Sequence, residues 1–428
     1  MSSSPSFANR VQDRHVGPCQ LLTLPTPVEN FVSFKASFVT NPDFAAGDDI
    51  RQDLAVALLD KGTASRDRFE IARVLEDRGA KISISSDGLY IDISGKALTD
   101  DFAVVLDVLS EMLQEPLFDP KEFEKARAST IADLQRQLEQ TSSQAAGALS
   151  RRLFPEDHPN YTPPTEELIE QAQALTLDEV RDYYNRHVGA TDFRMAVVGD
   201  LDHKSVEESV LAAFSDWEPH ESEAVHAREA SPQEPGRSLV PMADRSNVDV
   251  RIGHPLDFYR DSDDYEAFYV ANYILGGNFS ARLMNQVRDE QGLTYHIGSS
   301  MSGVTVSHQG AWRTVVTLSS ESLERGIEAT IDVIRDFVEH GPTAEELATV
   351  KETITGSFVV GLATTGNLAQ TLLTNAERGF DVEYIDRFPE LIEGVTLEEV
   401  TEVTQRHLHP DRLHVGAAGT LPEPVRAE

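Results

Sequence analysis

The sequence predicts an α+β fold that occurs twice, once in each half of the 428-residue chain. Three observations predict it. Similar segments recur in the same order at nearly constant spacing, short strands of alternating polarity follow one another, and amphipathic helical patterns lie between them. A hydrophobic content of 40% is enough for two cores of ordinary size.

The internal repeat depends on three pairs of matching segments. Two pairs have identical spacing: a proline after an apolar strand (Pro42 with Pro255) and a glycine before an alternating strand (Gly79 with Gly292). The third pair is spaced slightly wider and consists of two Arg-His dipeptides before a closing strand, at 186–187 and 406–407. Three matches in one order indicate a duplicated domain.

The repeat predicts two domains joined by an exposed segment. We place the N-terminal domain at residues 15–217 and the C-terminal domain at 239–422. Residues 218–238 contain three prolines, many charges and no apolar period, which is typical of a linker.

Each domain is predicted to run strand, helix, strand pair, long helices, short helix and closing strand. Residues 102–113 have the 3.6-residue apolar period of an amphipathic helix, and residues 120–140 begin with proline and acids, as a helix does. The alternating segments 81–85 and 89–93 predict strands of a sheet with one face covered by these helices.

The charge of the chain excludes some partners. Asp and Glu number 72 against 37 Lys and Arg, a formal charge of −35, spread along the whole chain. Such a field repels nucleic acids and anionic membranes, so we expect neither as a partner. It favours a salt-adapted protein, because ions screen the self-repulsion; an acidic protein of an ordinary organism is the alternative.

Three further features of the sequence indicate the cellular compartment. No stretch approaches the roughly 20 apolar residues of a membrane helix, and the first residues lack the pattern of a secretory signal. Cys19 is the only cysteine, which excludes an internal disulfide. We therefore expect a cytoplasmic protein.

Two motifs of the second half carry a family resemblance. The segment 276–283 (GGNFSARL), followed by 287–295 (VRDEQGLTY), resembles the second-half signature of the M16 (pitrilysin/insulinase, mitochondrial processing peptidase-like) family. Segments 59–63, 116–119, 123–125 and 197–200 of the first half are similar to its catalytic domain. The resemblance covers roughly residues 20–420 and implies two M16-type (LuxS/M16-like) domains that form half of a clamshell.

The zinc motif of that family is missing. In active members, His-x-x-Glu-His precedes the turn that matches Lys61-Gly62-Thr63, and two imidazoles one helical turn apart bind the metal while the glutamate activates water. The matching positions here are Asp53, Val56 and Ala57, and the position of the third ligand holds Asp133. A catalytic zinc site needs three protein ligands, so we expect no zinc in this chain.

Other clusters offer little catalytic chemistry. None of the 13 histidines has zinc-motif spacing, and the nearest to a cluster is His407-Leu-His409 beside Asp411. Because His407 repeats His187, we interpret this segment as the turn at a domain end. The pair Gly276-Gly277 is not followed by the residues of a phosphate-binding loop.

Arg288 and Tyr295 are the candidate functional residues. The resemblance implies that the second half supplies an Arg and a Tyr that contact the substrate carbonyl and its oxyanion near the zinc, and a guanidinium and a phenol are suitable donors. The alternative is structural, with Arg288 on a helix surface bridging acids such as Glu290 and Tyr295 half-buried in a strand.

The sequence supports three functions. The first is a non-catalytic subunit that pairs with a zinc-bearing chain to form a peptide-degrading or processing chamber, in a heterodimer with an M16 paralogue carrying His-x-x-Glu-His or in a homodimer. Zinc would then be the partner's cofactor and a peptide the substrate. The second is a structural or peptide-binding protein without a peptidase role. The third is an autonomous zinc metallopeptidase with an unrecognised metal site.

Overall fold

The computed structural model describes residues 6–40, 48–220 and 228–421, which form two compact units. Among these residues, unit 1 comprises 6–40, 48–132, 168–220 and 357–388, and unit 2 comprises 133–167, 228–356 and 389–421. Each unit therefore contains segments from both halves of the sequence.

Both units combine one sheet with several helices, which confirms the α+β class. The strands are β1 (Gln12–Val16), β2 (Cys19–Pro25), β3 (Val32–Val39), β4 (Lys81–Ser86), β5 (Tyr90–Ala97), β6 (Arg194–Gly199), β7 (Arg237–Pro241), β8 (Val248–Pro255), β9 (Thr294–Ser302), β10 (Ala311–Leu318) and β11 (His414–Gly419). The helices are α1 (Asp48–Val56), α2 (Arg68–Glu76), α3 (Phe102–Gln114), α4 (Pro120–Leu138), α5 (Thr141–Leu153), α6 (Thr165–Ala174), α7 (Leu177–His187), α8 (His203–Phe214), α9 (Tyr265–Leu275), α10 (Leu323–His340), α11 (Ala344–Gly361), α12 (Thr365–Glu377), α13 (Tyr384–Gly394) and α14 (Leu397–His407).

The two sheets share one topology, except that β1 is an additional edge strand in the sheet of unit 1. The order is β1-β2-β6-β3-β5-β4 in unit 1 and β7-β11-β8-β10-β9 in unit 2. The closing strand, β6 or β11, lies between two others in each sheet. It pairs parallel with one of them (β6 with β2, β11 with β7) and antiparallel with the other (β6 with β3, β11 with β8). The predicted duplication is thus visible strand by strand.

The same turn glycines and helix caps recur in both units and fix where the repeated elements begin. Gly79 and Gly292 have φ angles of +60° and +63°, a left-handed conformation that suits glycine, and each lies between a helical segment and an edge strand, β4 or β9. Helices α7 and α14 begin with the same capping box, Thr176 with Glu179 and Thr396 with Glu399, in which side chains satisfy the first free N–H groups.

In unit 1, α12 covers one face of the sheet. Its apolar residues recur every three or four positions and pack on β2 and β6, forming a buried cluster of Leu22, Leu24, Ala196, Val198, Leu362, Leu368, Ala369, Leu372, Leu373, Ala376 and Ile385. Two hydroxyls of β3 hold the ends of the helix. Ser33 Oγ lies 2.8 Å from Thr365 Oγ1, and Ser37 Oγ donates to Glu377 Oε1 at 2.6 Å.

In unit 2, α5 has the equivalent position on β8 and β11. Its first residue, Thr141, donates its hydroxyl to Asp249 Oδ2 on β8 at 2.6 Å. Gly416 on β11 allows the helix to approach, because a Cβ atom there would lie 2.5 Å from the carbonyl oxygen of Ala145. A helix from the first half of the sequence thus covers the sheet of the second half.

The predicted linker is partly described. Residues 221–227 lie outside the described residues, as does Pro42, one of the repeat's markers. After this gap, Arg228 N–H donates to the carbonyl oxygen of Ser307 at 3.0 Å, and residues 237–241 form β7. The compact units combine segments of both halves and so follow a different division from the sequence repeat. The domain boundaries that the repeat suggests therefore stay a prediction.

Among the described helices, none combines the length and the apolar composition needed to cross a membrane.

The close approach at Gly416 gives a stability prediction. Gly416→Ala should lower the free energy of unfolding by about 1–3 kcal/mol, because the methyl group would collide with the backbone of α5. In the control Gly356→Ala, the added methyl group has open space on the exposed side of α11 and should raise stability by about 0.5–1 kcal/mol. Urea unfolding at constant salt measures both, and equal effects would contradict the packing of α5 on β11.

Candidate functional site

Arg288 and Tyr295 lie next to each other in unit 2. Arg288 is in the π-helical segment Met284–Glu290, and Tyr295 is the second residue of β9. Gly292 forms the turn between them, with its N–H donating to the carbonyl oxygen of Arg288 at 3.0 Å. As a result the guanidinium carbon of Arg288 lies 5.7 Å from the centre of the Tyr295 ring, so the structure brings the two predicted residues together.

The two side chains differ in exposure to solvent, and the Arg288 side chain is only 36% exposed. Tyr295 is 87% exposed on the edge strand β9, so the half-buried position considered as the structural alternative is wrong. Arg288 donates to Asp289 Oδ1 at 3.1 Å rather than to Glu290. Such an exposed ion pair contributes little stability, and its guanidinium can exchange partners at small cost. This geometry suits two donors that bind a ligand, while their catalytic role remains a prediction.

The positions of the missing zinc motif lie on and just after α1 in unit 1. Buried Gln52 fixes this helix by donating to Thr40 Oγ1 at 2.5 Å and accepting from Gly88 N–H at 2.8 Å. On the next residue, the Asp53 carboxylate accepts a hydrogen bond from the Ser86 hydroxyl at 2.5 Å. Val56 and Ala57 are half-buried and carry no ligand atom.

Asp53 and Asp49 lie one turn apart on α1, and the environment of both carboxylates disfavours their ionised forms. Desolvation raises the pKa of Asp53, and the hydrogen bond from Ser86 partly offsets it. Desolvation also raises the pKa of Asp49, one turn earlier, and the charge of Asp53 adds to this effect. Two carboxylates on one helix face supply oxygen ligands only, without the imidazoles that zinc prefers.

The fourth position, Asp133, belongs to unit 2 and forms an ion pair with Arg136 one turn further along α4. Across residues 6–40, 48–220 and 228–421, no three His, Cys, Asp or Glu side chains are grouped to hold a metal ion. The donor set that remains therefore does not fit a catalytic zinc ion.

His407 is held between two carboxylates in unit 2. Its Nδ1 lies 2.8 Å from Asp257 Oδ1 and its Nε2 lies 2.7 Å from Asp264 Oδ2, an arrangement that favours the imidazolium form, in which both nitrogens donate. Although burial lowers the pKa of His407, the two carboxylates outweigh it and raise the pKa above its ordinary value. The sequence indicated Asp411 as the neighbour and missed both partners, which lie far earlier in the chain, just before α9.

His409 has a different environment from His407. Its backbone N–H donates to Nε2 of the buried His254 at 3.2 Å, and burial lowers the pKa of His254 to about 4. With the ring of His407 engaged on both sides, the two histidines do not form a ligand pair. The segment has the structural role of joining α14 to β11.

The His407 cluster predicts a pH-dependent contribution to stability. A raised pKa means that the stabilisation is complete below the unfolded pKa, about 6.5, and is lost as the pH rises through the folded pKa. His407→Gln should therefore cost about 1–2 kcal/mol more near pH 6 than near pH 9. Chemical unfolding across this range measures it. Asp411→Asn is the control and should keep the wild-type profile, whereas a pH-independent loss in His407→Gln would contradict the imidazolium.

Comparisons with known proteins agree with the fold. The family model described as Insulinase (Peptidase family M16) matches residues 56–160, and the one described as Peptidase M16 inactive domain matches residues 174–354. A solved structure of a peptidase M16 inactive domain from Pseudomonas fluorescens superposes with a TM-score of 0.85 at 22% identity, covering 98% of this chain and 100% of that one.

Two curated relatives differ in how they are described. An uncharacterized zinc protease of Streptomyces coelicolor is 26% identical over 321 residues, 73% of this chain and 68% of its own length. A non-peptidase homolog of Helicobacter pylori is 21% identical over 355 residues, 83% of this chain and 81% of its own length. Together, the two family models, the duplicated sheets and the Arg288–Tyr295 motif show that the chain belongs to the M16 peptidase family, without that family's His-x-x-Glu-His motif.

Proposed function

We propose that this chain is a non-catalytic M16 subunit that assembles with a zinc-bearing chain and contributes Arg288 and Tyr295 to hydrolysis of a peptide. The observation that carries the proposal is the contrast between the two sites. Tyr295 is exposed beside the half-exposed Arg288, whose ion pair with Asp289 exchanges at small cost, whereas the zinc positions hold side chains that cannot form a metal site.

The residues at the zinc positions support the first part. Hydrolysis by zinc needs three ligands, an open position for water and a base beside it. Val56 cannot accept a proton, Ala57 has no ligand atom, and the Asp53 carboxylate already accepts a hydrogen bond from Ser86. Zinc and the general base must then come from another chain, which we infer to be a paralogue with His-x-x-Glu-His.

The chemistry of Arg288 and Tyr295 supports the second part of the proposal. Peptide hydrolysis develops negative charge on the carbonyl oxygen, and preorganised donors at that oxygen stabilise the transition state. A guanidinium stays charged at every physiological pH, and a phenol hydroxyl donates without carrying charge. At the positions of the first half that match them through the repeat, the chain has Leu75 and Ile82, so only the second half offers these donors.

The H. pylori relative, described as a non-peptidase homolog, favours a second candidate, a peptide-binding or structural protein without a role in hydrolysis. The two candidates differ in one respect. A binding protein would associate with peptide or partner without changing the turnover of any zinc-bearing chain.

The proposal predicts a specific loss of turnover in the reconstituted complex with the paralogue. Arg288→Ala should lower kcat/KM for a fluorogenic peptide by about a hundredfold, the effect of removing one oxyanion donor, and Tyr295→Phe by about tenfold or more. The matched control is Arg335→Ala, which removes an exposed arginine that is paired with Asp332 on α10. It should leave turnover unchanged.

A stability measurement separates a functional loss from unfolding. Because the Tyr295 side chain is 87% exposed, Tyr295→Phe should change the free energy of unfolding by no more than about 0.5 kcal/mol. Full turnover in a complex that contains Arg288→Ala or Tyr295→Phe would reject the proposed role and favour the binding protein.

A further inference from the structure

Unit 2 contains a second polar feature that the proposed function does not use. A cavity of about 270 Å³ lies between α5, the segment that follows it and the sheet. Its polar lining consists of Arg251, Arg313, Ser150, Asn160, Thr162 and Ser302. No aspartate or glutamate is among the described residues that line it, although the chain as a whole has 72 of them.

The two arginines lie on the same face of neighbouring strands. In the antiparallel pair of β8 and β10, Arg313 is opposite Gly253 and Arg251 is opposite Val315, so the two side chains are diagonal neighbours. Gly253 leaves room for this arrangement, because a Cβ atom there would lie 3.1 Å from Cβ of Arg313. Two guanidinium groups thus share one small space.

The charges of both groups are poorly compensated. Arg313 Nε is buried and has no hydrogen-bond partner among the described residues, and burial lowers the pKa of Arg313. Arg251 is 9% exposed; its Nη1 donates to the carbonyl oxygen of Val250 at 3.1 Å and forms only a long ion pair with Asp249 Oδ1, at 4.0 Å. That carboxylate already accepts hydrogen bonds from the hydroxyls of Thr141 and Thr317, at 2.6 and 2.7 Å.

Elsewhere in this chain arginines find carboxylates easily. Arg181 pairs with Asp178 at 3.1 Å and Arg335 with Asp332 at 2.7 Å, each one helical turn apart. A buried guanidinium whose carboxylate is distant is costly, and a second positive charge beside it adds repulsion. A cavity with two arginines and no acid among the described residues of its lining has the composition of a receptor for a negative ligand.

Neutral groups around the arginines complete such a receptor. The hydroxyls of Thr162 and Ser302 line the cavity and form no hydrogen bond with the described residues, so both can donate to a ligand. Asn160 and Ser150 are engaged with the backbone and fix the wall: Asn160 Nδ2 donates to the carbonyl oxygens of Gly303 and Gln309, each at 3.0 Å, and Ser150 Oγ donates to that of Asn160 at 2.9 Å.

We propose that this cavity binds a small oxyanion, a phosphate or a carboxylate, through the guanidinium groups of Arg251 and Arg313. Planar guanidinium groups bind such oxygens through paired N–H donors, and the volume suits one small anion with its remaining waters. The ligand neutralises the charge under α5 and so ties that helix to the sheet. The proposal does not depend on the role of Arg288 and Tyr295, since none of the residues is shared.

Titration with sodium phosphate and, separately, with sodium acetate tests the site, at constant ionic strength kept with sodium chloride. Calorimetry should show saturable binding of at least one anion at millimolar concentration. Arg313→Gln should weaken it by about tenfold or more, as the loss of a charged hydrogen bond does. Arg335→Gln is the matched control on the surface and should bind as the wild type does.

Nitrogen-15 spectra of the arginine Nε–H groups give an independent readout on the wild-type protein. The signal absent in Arg313→Lys identifies Arg313, and it should shift with the same saturation curve as the heat. Binding of phosphate alone or acetate alone would define the ligand class within the proposal. Equal binding by Arg313→Gln and the wild type, or an Arg313 signal unmoved by both anions, would overturn it even if Arg251 variants fail to fold.

Discussion

The docking of one helix on each sheet is the interaction on which the rest of the structure depends. Sheets with one apolar face must bury it, and here the cover comes from the other half of the sequence: α12 on the sheet of unit 1 and α5 on that of unit 2. The first residue of each helix is a threonine whose hydroxyl contacts the central strand, Thr365 with Ser33 and Thr141 with Asp249. Neither half of the sequence could bury its sheet in this way alone.

This arrangement positions both candidate sites of unit 2. Helix α5 packs on β8 and β11, and the arginine-lined cavity lies beneath it. The sheet ends at β9, where Tyr295 has no further strand beside it among the described residues and stands in solvent next to Arg288. The helical cover thus accounts for the partly enclosed arginine-lined cavity, and the edge of the sheet accounts for the exposure of Tyr295.

Much of the fold could be predicted because its signals are local. The turn glycines Gly79 and Gly292, the helix beginning at Pro120 and the repeat of Arg-His before the closing strands all reappear at the expected elements. The exchange of α5 and α12 could not be predicted, because an amphipathic pattern shows that a face is buried but not which sheet buries it.

The same distinction between local signals and contacts of distant segments applies to the candidate sites. The absence of a zinc motif and the pairing of Arg288 with Tyr295 follow from short segments, since one glycine turn between them sets their separation. The partners of His407 and the pair Arg251 and Arg313 depend on strand register and on contacts between distant segments. Arg313 also occupies an ordinary alternating position of β10, which gave no signal of a ligand.

The most direct test of the central claim is peptide hydrolysis by the unmodified chains. The protein would be assayed alone and mixed with the paralogue that carries His-x-x-Glu-His, with and without a zinc chelator and at low and high salt. The account predicts chelator-sensitive hydrolysis that exceeds the sum of the separate chains and is absent from this chain alone. Chelator-sensitive hydrolysis by this chain by itself would contradict it, because the residues at Asp53, Val56 and Ala57 cannot provide a catalytic zinc site.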